Sequence, residues 1–313
     1  MTSVKILYGI KHIKNGLFHG CTNLKYVTIP NSVTSIGMEA FKGCKSLTSV
    51  TIPESVTNIE YHSFRDCSGL TSVTIPNSVK SIGGSAFWGC SSLEVISIGK
   101  SVSSIDDYAF GNCPKLKAII WNTNNYNDIS DEDDSPFYRI RSQITYVKFG
   151  DNVKFIPHFF CYDMKNLKTL ILSNSVKSIG FQAFCGCSKL TSVAIPNSVT
   201  NLGVAAFQDC SALMFVNIPH GITRISDAAF HGCRSLQSIT IPNGVTEIGR
   251  GAFYYCVSLT SITVPNNTMR IKEYAFSYCN GLRYIKIPRS YSRSVYKVWK
   301  NAFRGKPTKI IRN

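Results

Sequence analysis

Twelve cysteines and six histidines are the residues of this 313-residue chain whose types could do chemistry. Thiolates attack carbonyls and bind soft metals, and imidazoles move protons and ligate zinc. Spacing narrows the choice. Cys21, Cys44, Cys67, Cys90 and Cys113 stand 23 residues apart, as do Cys187, Cys210, Cys233, Cys256 and Cys279. Zinc wants four ligands converging on a tetrahedron, whereas a column with this period spreads them along a line. Neighbours in such a column have parallel Cβ vectors, which oppose the disulfide torsion of about 90°. The expectation is therefore a ladder of buried free thiols, each behaving as a small hydrophobe. Cys161 and Cys185 fall outside that slot, 24 residues apart. They should sit on adjacent turns and can form a single disulfide; two unpaired thiols are the alternative.

No nucleophile-elbow, phosphate-loop, zinc-protease or dinucleotide motif occurs in the sequence. His12, His19, His62, His158, His220 and His231 fall at different repeat positions, except that His19 and His231 share the variable residue after Phe. Buried thiols disfavour the thiolate, so a Cys–His nucleophile is not expected. Asp128-Ile129-Ser130-Asp131-Glu132-Asp133-Asp134 holds five acids but lacks the Gly and terminal Glu of a calcium loop. It reads as a solvated loop, with weak divalent-cation binding as the alternative. The expected protein is not an enzyme and has no cofactor or metal.

The elements that position these residues come from the repeat. One unit reads A-F-x-x-C-x-x-L-x-x-V-x-I-P-x-x-V-x-x-I, as in Ala40, Phe41, Cys44, Leu47, Val50, Ile52, Pro53, Val56 and Ile59. Val50 and Ile52 alternate with Ser49 and Thr51, the period of a half-buried strand. Proline follows that strand in eight units and cannot donate to a ladder, so it stops the strand at one height. The V-x-x-I segment reads as extended or 3₁₀-like, and x-x-A-F-x-x-C as a tight helical turn. The cysteine phase continues through Met164 and Arg141, with insertions of five residues before Arg141 and four before Lys306. That gives thirteen slots. A unit this small cannot bury its apolar face alone, so stacked neighbours must complete each core. The fold class is a mostly-β repeat solenoid of the α/β type, an arc of about 13 turns of 23 residues. It has a parallel β-sheet on the concave face. It forms one domain over 1–313, with an irregular insertion at about 121–137 and a second at about 289–300.

Runs such as Gly43-Cys44-Lys45-Ser46-Leu47-Thr48-Ser49-Val50-Thr51-Ile52-Pro53 and Asn77-Ser78-Val79-Lys80-Ser81-Ile82-Gly83 resemble the BspA-like leucine-rich repeats, over nearly the whole chain. The irregular centre (Trp121-Asn122, Ser135-Pro136-Phe137-Tyr138, Arg141-Ser142-Gln143-Ile144-Thr145) is similar to a variant repeat in relatives from anaerobic gut bacteria. The resemblance implies adhesion at a cell surface or after secretion, through binding of host matrix, microbial surface or receptor partners. No export signal and no polar cap are recognisable, and Thr2-Ser3-Val4-Lys5-Ile6 aligns with Thr48-Ser49-Val50-Thr51-Ile52. The expectation is a fragment of a longer exported protein; a cytoplasmic interaction scaffold is the alternative.

Solenoids bind through variable residues on the sheet. Most units offer Ser and Thr there, but the central turns offer Ile120, Tyr146, Lys148, Ile171 and Phe215, an apolar strip beside the inserted loop. Drift in degenerate repeats, with Ile120 or Ile171 partly covered by the insertion, is the alternative. The expected partner is a protein or glycan surface ligand, bound by a monomer with no membrane span. The formal charge of +16 suggests nucleic acid until it is mapped. Residues 280–313 carry ten bases and no acid, leaving +6 for the other 279 residues. Nucleic acid is not expected; the charge marks a basic tip including Arg283, Tyr284, Lys286, Arg289 and Arg293, an anion site or simply a solvated terminus.

Overall fold

A computed structural model describes residues 1–126, 129–288 and 309–312. It is a mostly-β parallel solenoid of about twelve turns with almost no helix. The turn around Lys306 and the second insertion at 289–300 lie outside the described residues. The chain divides into two compact units, Met1–Asp128 with Asp133–Val153, and Ile129–Glu132 with Lys154–Asn313.

Each turn contributes to three ladders. The V-x-I segment makes a front sheet. In the first unit its strands include Ser72–Thr74, Val95–Ile98, Ala118–Trp121 and Tyr146–Phe149, paired in parallel. Three of these run to four residues, and Gly99, Asn122 and Gly150 follow them where other units have proline. The x-x-I segment, expected as extended or 3₁₀-like, makes a back sheet of two-residue strands. Ser35–Ile36, Asn58–Ile59 and Ser81–Ile82 are paired in register in the first unit. Phe155–Ile156, Ser178–Ile179 and Asn201–Leu202 do the same in the second.

The third ladder replaces the helical turn expected around A-F-x-x-C. Alternate N–H groups donate forward to the next turn: Glu39 to Tyr61 O (3.1 Å), Phe41 to Ser63 O (2.8 Å) and Gly43 to Arg65 O (2.8 Å). Turning every second N–H outward puts two residues per turn in the left-handed region, Glu39 (φ 56°) and Gly43 (φ 73°) in this case. A helix cannot continue through such residues. The second of these columns is mostly Gly, Asp and Asn, the residue types that tolerate that region, as at Gly43, Asp66, Gly89 and Asn112; Tyr255 and Tyr278 are its exceptions.

The core lies between the ladders. Phe18, Phe41, Phe64, Phe87 and Phe110 stack with ring centroids 5.2–5.6 Å apart in the first unit. Phe184, Phe207, Phe230, Phe253 and Phe276 do so at 5.2–5.8 Å in the second. Beside each stack runs the thiol column. Within it each buried Sγ donates to the carbonyl of the Phe slot one turn back: Cys67 to Phe41 (3.1 Å), Cys90 to Phe64 (3.3 Å), Cys233 to Phe207 (3.2 Å). Burial pushes Cys113 and Cys279 up to about 12, and Cys67, Cys90, Cys233 and Cys256 well above the ordinary thiol value.

The insertion adjusts this column. Phe137, not Tyr138, continues the stack, 6.0 Å from Phe110. The extra residue before Ile144 is absorbed by a 3₁₀ helix, Tyr138–Gln143. Arg141 therefore does not fill the cysteine slot assigned to it by counting; its guanidinium lies 4.1 Å from the Tyr138 ring centroid. Buried Trp121 packs edge-on against Tyr126 (5.2 Å) and Phe137 (6.0 Å), closing the excursion.

Two core substitutions should have opposite signs. Phe87→Ala, in the middle of a stack, is expected to cost about 3–5 kcal/mol of unfolding free energy. Ser63 takes an alanine slot, fully buried, and its hydroxyl has no partner among the described residues. Ser63→Ala should raise stability by about 1 kcal/mol in urea denaturation. The thiols set an alkaline limit. Unfolded thiols ionise near 9.0, while the folded ones keep their protons to about 12 or beyond. The unfolded state thus binds fewer protons, and stability present below pH 9 is lost as pH rises toward 12, by about 1.4 kcal/mol per pH unit per thiol. Alkylation of the native protein at pH 8 should mark half-buried Cys21 and spare the eleven buried cysteines. Equal labelling before and after unfolding would contradict the buried column.

Candidate functional site

Side chains that flank the buried positions of the front strands face away from the core. In the first unit, Ala118 pairs with Tyr146 and Ile120 with Lys148 across neighbouring strands. Ile120 and Tyr146 are half-buried and Lys148 is exposed. In the second unit, Ile171 is 40% and Phe215 53% exposed. Phe215 stands above a shallow groove lined by Ser192, Ala194, Asn217, His220, Ser238 and Thr240. The five expected residues thus lie on front sheets, three in one unit and two in the other.

Asn217, Ser238 and Thr240 flank the same strands and were not among the five expected site residues; the groove adds them. The available signal is Asn217, an amide in a slot where the two following units place Thr240 and Thr263. Its Oδ1 accepts from Ile195 N (2.9 Å) and its Nδ2 donates to Ile195 O (2.7 Å). The amide replaces a ladder contact, so the strand Phe215–Val216 stops after two residues and the groove opens beside it.

Charge is segregated in the second unit. None of the twelve residues flanking the front strands from Thr169 to Lys286 is acidic. Carboxylates line the edge of the back sheet instead. Glu247 lies 3.1 Å from Arg224, 3.4 Å from Arg270 and 3.0 Å from Lys272, and Glu273 lies 3.3 Å from Arg250. Arg283, Tyr284 and Lys286 of the basic tip are exposed on the front face; Arg289 and Arg293 lie outside the described residues.

Two histidines do meet a carboxylate, although their repeat positions differ. Glu39 is 3.5 Å from both His19 Nδ1 and His62 Nδ1, and 2.7 Å from Lys42 Nζ. The residue after Phe abuts the left-handed residue of the next turn, which brings these columns together. Arg65 Nη1 donates to His62 Nε2 (3.1 Å) and rests 4.4 Å from the Trp88 ring centroid. The Lys42 ammonium lowers Glu39; burial, with the charges of Arg65 and Lys42, lowers His62 despite Glu39. Two cations pack against the cluster, which makes it an ion-pair network rather than a cation site. No group of metal-ligating side chains occurs among the described residues.

The acidic stretch is exposed at Asp131, Asp133 and Asp134, as a solvated loop should be; Asp128 lies outside the described residues. Glu132 hydrogen-bonds the Tyr162 phenol and pushes it up to about 12. Cys161 and Cys185 are both buried thiols. Cys161 occupies the Phe slot, where its carbonyl accepts from Cys187 Sγ (3.3 Å). Cys185 comes one residue after Phe184, near Asp163 and Asp209.

The profile of the BspA type leucine-rich repeat region matches residues 1–117, 81–214, 133–259 and 204–311. None of the curated proteins matches the chain. Among solved structures, a leucine-rich repeat protein from Bacteroides ovatus is 26% identical with a TM-score of 0.59, over 100% of this chain and 84% of its own. A leucine-rich cell surface protein from Faecalibacterium prausnitzii is 31% identical with a TM-score of 0.45, over 98% and 83%. A leucine-rich repeat protein from Treponema pallidum is 28% identical with a TM-score of 0.42, over 60% and 77%. Taken with the 23-residue period and the stacked Phe and Cys columns, the profile match over nearly the whole chain establishes that the chain belongs to the BspA-type leucine-rich repeat family.

Proposed function

We propose that the chain is a non-enzymatic recognition module that works outside a cell, binding a protein or glycan on a host, matrix or microbial surface through its front sheets. Proteins built from these repeats are typically interaction modules, and those of this type are typically surface-exposed or secreted. The observation that carries the reading is the groove beside Phe215, where a large apolar ring is left exposed among small polar neighbours. Aromatic side chains in such settings anchor partners. No helix among the described residues is long and apolar enough to cross a membrane.

The test is a paired front-face variant, Tyr146→Ser with Phe215→Ser. It should keep the circular dichroism spectrum and melting profile, and lose binding to immobilised matrix proteins and microbial surface glycans that the parent protein retains. Unchanged binding would remove the front face as the site. An oxidising exterior would also permit a bridge between Cys161 and Cys185. Peptide mapping of protein denatured in alkylating agent without reductant is expected to find Cys161 and Cys185 both alkylated, as the buried free thiols described above; recovery as one linked pair would establish the bridge instead.

A further inference from the structure

The front face of the second unit has a charge pattern that specifies more than a generic partner. Lys168, Arg283 and Lys286 are exposed there. None of the three forms an ion pair among the described residues, whereas Arg224, Arg250, Arg270 and Lys272 at the back are all matched by carboxylates. Lys168 and Arg283 hold the same slot five repeats apart, with Phe215 two repeats from the first and close to three from the second. At about 4.8 Å per turn the two cations are about 24 Å apart, with the Phe215 groove near the middle. The groove contributes apolar surface from Ala194, Val193 and Phe215 with hydroxyls from Ser192, Ser238 and Thr240.

We infer that the second unit's front face binds an extended acidic polypeptide segment, with an apolar side chain in the groove beside Phe215 and carboxylates reaching Lys168 on one side and Arg283 and Lys286 on the other. This rests on the reading of the front face as the binding surface. A span of about 24 Å corresponds to about seven extended residues. Complementary potentials steer such a partner, and the three cations, with no acid on this face to offset them, repel basic competitors and so supply the selectivity. The central anchor separates this partner from a polyanion. A sulfated glycan or a nucleic acid would satisfy the cations and leave the groove empty.

The experiment uses the full chain and four fluorescent probes. They are a nonapeptide with central Leu and paired Asp/Glu at both ends, the same peptide with central Ala, the same peptide with Lys in place of the acids, and a heparin-derived octasaccharide. The acidic Leu peptide should bind. Binding should weaken about tenfold for the Ala peptide and again for Phe215→Ser, and weaken as salt rises. Lys168→Glu with Lys286→Glu should abolish binding of the acidic peptide. Equal binding of the Leu and Ala peptides, preference for the Lys peptide, or binding of the octasaccharide alone would each overturn the inference. If Phe215→Ser loses the surface ligand and the acidic peptide is ignored, the front-face reading stands and the acidic partner falls. If Phe215→Ser loses neither, both fall.

Discussion

The carbonyl at most Phe positions is buried and has two lone pairs to satisfy. The N–H of the cysteine three residues on takes one, as Cys67 does for Phe64 (3.2 Å), and the thiol of the following turn takes the other, as Cys90 does (3.3 Å). An unsatisfied buried acceptor costs about 1–3 kcal/mol, so this small contact has leverage when repeated along a column. It also locks one turn to the next in a single register. The Phe stack, the two sheets and the left-handed ladder inherit that register, because each sits at a fixed distance along the chain from the thiol. A serine would donate equally well but would be costlier to bury than a thiol, and valine would fill the space without donating.

Much of this is legible in the residues themselves. The period, the strand with its alternating Val and Ile, the proline stop and the buried thiols follow from spacing and residue type. The A-F-x-x-C segment misleads for an identifiable reason. Its i to i+3 hydrogen bonds, such as Cys44 N–H to Phe41 O, do look helical from sequence, but its other donors serve the neighbouring turn. The alternation of Gly, Asp and Asn just before cysteine is the available clue. Arg141 is misplaced by counting because counting residues assumes an unchanged path, and a 3₁₀ helix shortens the rise per residue differently from a turn.

The front face is legible as a set of flanking residues, and the structure sorts them by environment. Ile120 and Tyr146 lie on strands that pair over four residues, and both are half-buried there. Phe215 stands between Ser192 and Ser238, which hold the same slot in the adjacent turns and are too small to shelter the ring. The contacts between His19, Glu39 and His62 are hidden in the sequence because adjacency across turns is offset by a few residues, which a search for identical positions cannot reveal.

Phe137 is still in the aromatic stack after the excursion that follows Trp121, and the helix Tyr138–Gln143 behind it takes up the extra residue before Ile144. Such a segment works like a vernier on a ruler: it absorbs a residue of mismatch so that graduations on both sides stay aligned. Loops of different length and chemistry could therefore be spliced in at that position without rewriting the columns that follow. Novelty in this architecture has a port of its own, where a new surface can be tried while the scaffold keeps its count.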